Sequence, residues 1–469
     1  MTTQLEAAFA GQRRAFEADR FPVLASRLDR LRRLAELTGR HEAAVADAIS
    51  HDFGHRSVHE TAFAEIFVAA AAIGHARRHL HHWMRPSRAQ IAFYFRPGYG
   101  RVMRQPLGVI GIISPWNYPF QLAICPAAAA LAAGNRVMLK PSEQTPQFSA
   151  LLATIVAEHF DAEEMIVITG DAEVGKAFAR LPFDHLLFTG STAVGREVAL
   201  AAARNLTPVT LELGGKSPAI VDADARLPHV AERIVIGKLL NAGQTCIAPD
   251  YALVPHDRVP AFCDAIAAAV RSTYPTLAAN PDYTSIVSER RYRRLVELVA
   301  DAREKGAHVT EINPAGETLP PEERKLAPVL VVNARDDMDV MREEIFGPVL
   351  PVVGYRDLEE AIAYVNARPR PLSLYYFGET AARRDRVLGQ TIAGGVTVND
   401  TLWHYVQEDM PFGGVGASGH GVYHGEHGFR TFSKEKPVFT QRPLSALGVL
   451  QPPYGKRLER VLRLLRRFV

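Results

Sequence analysis

From Thr3 to about Trp83, apolar residues recur at spacings of three and four between arginines and acids, as in Leu24, Leu28, Leu31, Leu34 and Leu37. Such spacing gives a helix one apolar stripe, so this segment is predicted helical. Ile91 to Val102 reads instead as two extended runs around Pro97-Gly98, a hairpin. Between about Pro106 and Gly214, short β-rich runs alternate with Ala-rich helical stretches. The runs are Val109 to Ser114, Arg136 to Lys140, Met165 to Gly170, His185 to Gly190 and Pro208 to Leu213. The helices between them are Ala123 to Ala133, Ser149 to Phe160, Val174 to Leu181 and Ala193 to Asn205. Strands of this kind, apolar on both faces, predict a parallel sheet covered by helices, the doubly wound dinucleotide-binding architecture.

The alternation restarts after Gly215. Strand-like runs at Ala219 to Val221, Ala252 to Pro255, Val329 to Val332, Leu350 to Tyr355, Leu372 to Phe377 and Gly395 to Asn399 alternate with helical ones, among them Val259 to Thr273, Glu289 to Lys305 and Leu358 to Ala367. A second α/β domain is expected. Gly455 to Val469 closes the chain, with Leu458, Val461, Leu462 and Leu465 on one helical face among many arginines.

A length of 469 residues fits two or more domains, and 47% hydrophobic with 22% charged residues is ordinary for a soluble globular enzyme. The net charge of +3 is too mild to indicate nucleic acid. Cys125, Cys246 and Cys263 are too few and too scattered for a disulfide framework, which favours a reducing compartment, the cytoplasm. No apolar signal segment opens the chain, and no run reaches the ~18 apolar residues of a membrane span. His51, His55 and His59 at helical spacing, and the pair His81-His82, lack a fitting set of Cys or carboxylate partners, so no metal is expected.

The chemistry gathers around one of the cysteines. Asn241-Ala242-Gly243-Gln244-Thr245-Cys246 sets a candidate nucleophile among small residues. A free thiol near pKa ~8.5 is only a few per cent ionised at neutral pH, so Cys246 needs partners. Glu212 ends an apolar run just before Gly214-Gly215, glycines that let another group approach closely, and Asn117 offers a side-chain amide in the Pro115 to Pro119 turn. Phe188-Thr189-Gly190-Ser191-Thr192-Ala193-Val194-Gly195 opens a helix directly after a strand. By spacing alone it is either a pyrophosphate-binding start or a tight turn. Lys140 and Glu143 follow another predicted strand, and Glu343-Glu344-Ile345-Phe346-Gly347-Pro348 precedes one.

Thiol, carboxylate and amide together, in this order with the flanking motifs from Ser114 to Gly421, resemble the aldehyde dehydrogenase superfamily. Cys246-Ile247-Ala248-Pro249-Asp250-Tyr251 resembles its class 3 branch, and Asp52-Phe53-Gly54-His55-Arg56-Ser57 with Tyr423-His424-Gly425 resembles the bacterial coniferyl aldehyde dehydrogenases within it. The resemblance implies Cys246 as nucleophile, Glu212 as general base and Asn117 as oxyanion donor. It also implies an NAD site at Trp116, Lys140, Glu143, Gly190, Ser191, Gly195, Leu213, Gly214, Glu344 and Phe346, with NADP a second possible cofactor. Tyr118, Trp403, His404 and Tyr405 fall near the family's substrate mouth, and Pro411 to Gly419 resembles its structural link back towards the dimer element.

The implied division is an NAD-binding domain of residues 1–85 and 106–214, a catalytic domain of 215–417, a small β bridging element of 86–105 and 418–445 that makes a homodimer, and a tail of 446–469 docked on the body. The implied reaction converts a small-molecule aldehyde, aromatic or medium to long-chain, to its acid. The alternatives are a CoA-acylating dehydrogenase and a non-catalytic binding protein of the same fold.

Overall fold

The computed structural model describes residues 2–443, 448 and 451–467. Residues 444 and 445 of the expected bridging element, and 446, 447, 449, 450, 468 and 469 of the expected tail, lie outside them. The N-terminal stripe forms as its spacing requires: in the helix Leu24–Arg40, Leu31, Leu34 and Leu37 are wholly buried, while Leu24 and Leu28 pack at the margin of the same core. Two further helices, Glu42–Phe53 and Val68–Trp83, flank the short helix Val58–Thr61, which continues as a single wide π turn over Ala62–Phe67. Gly54 breaks the run at φ 81°, so His51 and His59 stand on different helices and the helical spacing of the histidines has no common face.

The first large sheet has six strands in the order Gly419–His420, Val209–Leu213, His185–Gly190, Val109–Ile113, Arg136–Lys140, Met165–Val167. All are parallel except the first. Val109–Ile113 starts the sheet at its middle. The chain winds outward through Arg136–Lys140 and then crosses back to His185–Gly190, so the strand order reverses beside Ile113. In open α/β sheets ligands bind at the carboxyl ends of strands where this reversal occurs. Trp116 to Tyr118, Lys140 to Glu143, Gly190 to Gly195 and Glu212 to Gly214 all lie at those ends. Behind them runs the helix Gln121–Ala133, buried along its whole length because alanines let it lie between sheet and N-terminal helices.

The second sheet has seven strands in the order His308–Glu311, Val329–Val332, Val349–Tyr355, Tyr251–Pro255, Pro218–Val221, Ser373–Phe377, Gly395–Val398, antiparallel only at His308–Glu311. A third sheet joins Ser87–Ala89, Tyr99–Pro106 and Ser433–Thr440, all antiparallel.

Three expectations change, and one strand is unforeseen. The early hairpin pairs Ser87–Ala89 with Tyr99–Pro106, and Phe93–Phe95 between them makes a 3₁₀ turn rather than a strand. His308–Glu311, an edge strand with mostly exposed side chains, lacks the apolar run by which the others are read. The expected bridging stretch 418–445 divides: Gly419–His420 extends the first sheet against Val209–Leu213, the helix Gly425–Thr431 packs beside Gln121–Ala133, and Ser433–Thr440 is its strand in the third sheet. Finally, the terminal helix Lys456–Leu465 has no buried residue, so it is not docked on the body as expected.

Candidate active site

The helix Leu227–Leu239 runs into a 3₁₀ turn, Leu240–Gly243, in which Asn241 and Ala242 hold φ near 53° and 51° and Gly243 holds 78°. Left-handed backbone is unfavourable for L-residues, so successive positions there need outside support. At Gly243 a Cβ would meet the Gly347 carbonyl oxygen at 2.4 Å, which excludes other residues. The Gln244 amide supplies part of the support. Its Nε2 donates to the carbonyls of Asn241 (3.0 Å) and Ser285 (3.1 Å), and its Oε1 accepts from Val287 N (2.9 Å). The turn delivers Cys246 to the carboxyl edge of the first sheet, with Asn117 Nδ2 donating to Gln244 O at 3.1 Å and Tyr118 hydroxyl against Thr245 Oγ1 at 2.7 Å.

Cys246 is partly exposed, yet its thiol is pushed up to about 12, first by burial and then by the carboxylates of Glu344 and Glu212; the N–H groups of Cys246 and Ile247 oppose the shift. Glu212 is buried on the last turnings of Val209–Leu213, and neither carboxylate oxygen has a hydrogen-bond partner. Burial alone raises its carboxyl well above the ordinary value. Glu344 is raised to about 8, by burial and the nearby Asp250, against the Gly215 N–H, Lys216 and Arg291. Its carboxylate lies where a Cβ on Gly214 would be, 2.1 Å from Oε2, so Gly214 is the glycine that admits it. One thiol and two carboxyls, each displaced from its usual titration range, share one site, as functional sites often do.

The other predicted cofactor residues line the same edge. Lys140 is buried with Nζ donating to Pro141 O (2.8 Å) and 3.8 Å from the half-exposed Glu143. Ser191 caps the helix Thr192–Ala203. Gly195 lets that helix press on the sheet, because a Cβ there would strike Leu213 at 2.6 Å; at Gly190 a Cβ would meet Phe188 at 2.5 Å. Trp116 and Phe346 meet edge-to-face at 5.4 Å. Arg291, which sequence reasoning missed, lies over both rings at 4.5 and 5.9 Å. The Pro411 to Gly419 segment runs to this edge and not straight to the third sheet: Ala417 O accepts from Thr192 Oγ1 and Ser418 O from Leu213 N.

The tentative substrate residues separate. Trp403 is exposed, but His404 is held by Ser373 Oγ (2.9 Å) and Thr397 Oγ1 (2.7 Å), and burial lowers its imidazole to about 4. Tyr405 is buried, donating to Gln121 Oε1 at 3.0 Å and 3.3 Å from the Tyr423 hydroxyl. Tyr118 lies under the cysteine loop. Of the three aromatics in this loop, only Trp403 is exposed. Tyr423 is a further buried hydroxyl of this site, its phenol raised by burial and then by the Glu212 charge. Only the Tyr423-His424-Gly425 match pointed to it.

The N-terminal segment, which showed no obvious chemistry in sequence, sends Arg56, Glu60 and Glu65 into the interior beside Asn117 and Asn241. Elsewhere, His41, Glu158 and His159 each bring one ligand atom within 4.8 Å of the others. His41 and the exposed Glu158 stand 3.6 Å apart, an ordinary surface ion pair, and His159 Nδ1 bonds its own helix at Ile155 O, so we assign no ligand role to them.

The sequence profile described as "Aldehyde dehydrogenase family" matches residues 1–438. A "Probable coniferyl aldehyde dehydrogenase" of Pseudomonas aeruginosa is 50% identical over 459 residues, 98% of this chain and 95% of that one. The "Coniferyl aldehyde dehydrogenase" of Pseudomonas sp. strain HR199 is 49% identical, covering 94% and 91%. Among solved structures, substrate-bound AldH of Staphylococcus aureus superposes with a TM-score of 0.93 at 37% identity, covering 98% of this chain and 99% of that one. The chain belongs to the aldehyde dehydrogenase family. It is an oxidoreductase that converts an aldehyde to its acid.

Proposed function

We propose that Cys246 attacks the aldehyde and that Glu212 activates the water that releases the acid, in an NAD-dependent oxidation of an aromatic aldehyde of the coniferyl type. The observation that carries this is the buried, unpartnered Glu212 carboxyl beside Cys246 and Tyr423. Burial without a partner raises the proton affinity of this carboxyl, which suits general-base work in its ionised form. It also argues against transfer of the acyl group to coenzyme A, which needs no such base.

The residues fit a dinucleotide. Glu143 and Lys140 stand at the end of a central strand for the adenosine ribose, the capped start of Thr192–Ala203 offers main-chain N–H groups to phosphate, and Trp116, Phe346 and Glu344 border the thiol for the nicotinamide end. Bound NAD supplies the hydride acceptor. Asn117 has two amide N–H groups, of which one donates to Gln244 O; the other, with the Cys246 N–H, is the oxyanion donor. Loss of one such donor typically costs about 10²–10³ in rate.

Substrate choice rests on the two relatives at 49 and 50% identity. Initial rates of NADH formation with coniferyl, benzyl and C6 to C12 aliphatic aldehydes test it, and a kcat/KM for the aliphatic series above that for coniferyl aldehyde overturns it. Glu143 repels a 2′-phosphate and occupies Lys140, so Glu143→Gln is expected to lower the KM for NADP. A charge at 4 Å in water is worth about 1 kcal/mol, so the drop should be roughly five- to tenfold with little change for NAD. An unchanged NADP to NAD ratio removes Glu143 from the ribose site.

The subunit contact is the third sheet. Ser433–Thr440 is an edge strand with most side chains exposed, and Phe439 on it and Tyr99 on the neighbouring strand expose large rings. An open edge of this length is a ready site for a second copy. Sedimentation is expected to give a homodimer, and a monomer at micromolar concentration contradicts it. No helix among the described residues is long and apolar enough to cross a membrane. Three free cysteines suit the reducing cytoplasm.

A further inference from the structure

The N-terminal segment carries a buried ion pair that the reaction just described does not use. Arg56 and Glu65 are both fully buried at the side chain and 2.9 Å apart. Arg56 Nη1 donates to Glu65 and also to the Asn117 carbonyl at 3.1 Å, while its guanidinium lies against the rings of Tyr118 (4.9 Å) and Phe53 (5.3 Å). The other Glu65 oxygen accepts from Phe120 N (2.9 Å) and Gln121 N (2.8 Å), orphan donors at the start of Gln121–Ala133. The turn that bears Asn117 is thus held at one end by the cation and at the other by the anion.

Glu60 does the same for the cysteine loop. Ser57 caps the helix Val58–Thr61, and Ser-x-x-Glu is the spacing of a local capping box, in which the glutamate turns back to the cap N–H. Here Glu60 reaches across instead, accepting from the left-handed Asn241 N (3.1 Å) and from Thr284 Oγ1 (2.8 Å). Asn241 Nδ2 donates in turn to the Asn117 carbonyl at 3.0 Å. Arg56 and Asn241 therefore meet on one oxygen, Asn117 O, which joins the amide turn to the loop that ends in Cys246.

Stability alone does not require such an arrangement, because apolar residues of similar volume are often as stabilising as a buried ion pair. We propose that Arg56 and Glu65, with Glu60, are positioning residues for aldehyde oxidation: they lock the Asn117 turn against the Cys246 loop so that the amide meets the oxyanion formed at Cys246. This rests on the roles given to Asn117 and Cys246 above.

The test compares Arg56→Lys and the charge-free pair Arg56→Met with Glu65→Gln, measured per folded site counted by NAD-binding stoichiometry. A misplacement near 1 Å can cost about 10²-fold, so kcat is expected to fall roughly 10- to 100-fold in either form while the Kd for NAD and the KM for aldehyde change little. Adding Asn117→Ala should then lower kcat by much less than it does in the unaltered enzyme. A lower melting temperature with unchanged kcat per site overturns the proposal and leaves the network purely structural. So does full additivity with Asn117→Ala. If Asn117→Ala alone leaves kcat intact, the oxyanion reading itself fails, which is a separable result. Should Arg56→Lys not fold, the pair Arg56→Met with Glu65→Gln, in which Glu60 keeps its hydrogen bonds from Asn241 and Thr284, gives the same readout.

Discussion

Glu212→Gln is expected to form one NADH per active site and then stall. Hydride transfer needs the sulfur nucleophile and an oxyanion site, whereas thioester cleavage needs water activated by a base. Glutamine keeps the size of the side chain without its basicity. Rapid mixing should therefore show a burst followed by a steady state lowered about 10²–10⁴-fold, and hydroxylamine or a small thiol should release the trapped acyl group. If burst and steady state fall together, Glu212 also takes the Cys246 proton; if neither falls, Glu344 is the next base to replace.

Two pH effects follow from the same burial. Because the Glu212 carboxyl is raised well above 4.5, its basic form gains population only as pH rises, so kcat should climb with pH in the natural enzyme and lose that limb in the variant. For stability the sign is opposite. The folded protein keeps a proton that the unfolded chain releases near 4.5, so the native state loses stability as pH rises from there towards the raised value. Glu212→Gln should melt higher than the natural protein above that range and match it below. Equal melting curves at all pH values would mean the carboxyl is solvated.

Cys246→Ala should lower turnover by about 10⁴-fold or more, a loss typical of a deleted nucleophile, while NAD still binds. Cys125→Ala and Cys263→Ala should leave turnover in place. The surroundings of the thiol add a finer expectation. Burial and two carboxylates hold it near 12, with Glu344 ahead of Glu212 among the charges, so iodoacetamide should alkylate Cys246 slowly at neutral pH. With its carboxyl raised to about 8, Glu344 carries a like charge only above that pH, and there Glu344→Gln should speed the alkylation, measured by mass spectrometry of the labelled peptide. Substantial dehydrogenase turnover in Cys246→Ala sinks the covalent route.

The parts of the fold that were legible in the sequence are those with strong local signals. Val109–Ile113 is an unbroken apolar run, and Arg136–Lys140 carries Val137, Met138 and Leu139 between its two charged ends, because both faces of the sheet are covered; Gln121–Ala133 announces itself by alanine. His308–Glu311 and Gly419–His420 were not legible, one being polar at an edge and the other only two residues held in place by a partner strand far away in sequence. Cys246, Glu212 and Asn117 stand out by residue type and setting. Arg56, Glu60 and Glu65 do not, since charged residues at helical spacing read as a solvated face until tertiary structure buries them. His404 and Tyr405 show the converse: aromatics in a loop read as exposed, and only the hydrogen bonds to Ser373, Thr397 and Gln121 place them inside.

The pairing of Gly419 opposite Glu212 bears on how the enzyme is made. Gly419 fits that edge only as glycine, since a Cβ would stand 1.9 Å from the Leu211 carbonyl oxygen. A nascent chain therefore leaves the strand of its proposed base without this neighbour until residue 420 has been synthesised. Cys246 leaves the ribosome well before that, as a thiol without a finished pocket around it. Vectorial synthesis thus delivers the nucleophile early and closes the wall beside the base late, leaving Val209–Leu213 as an open sheet edge until then.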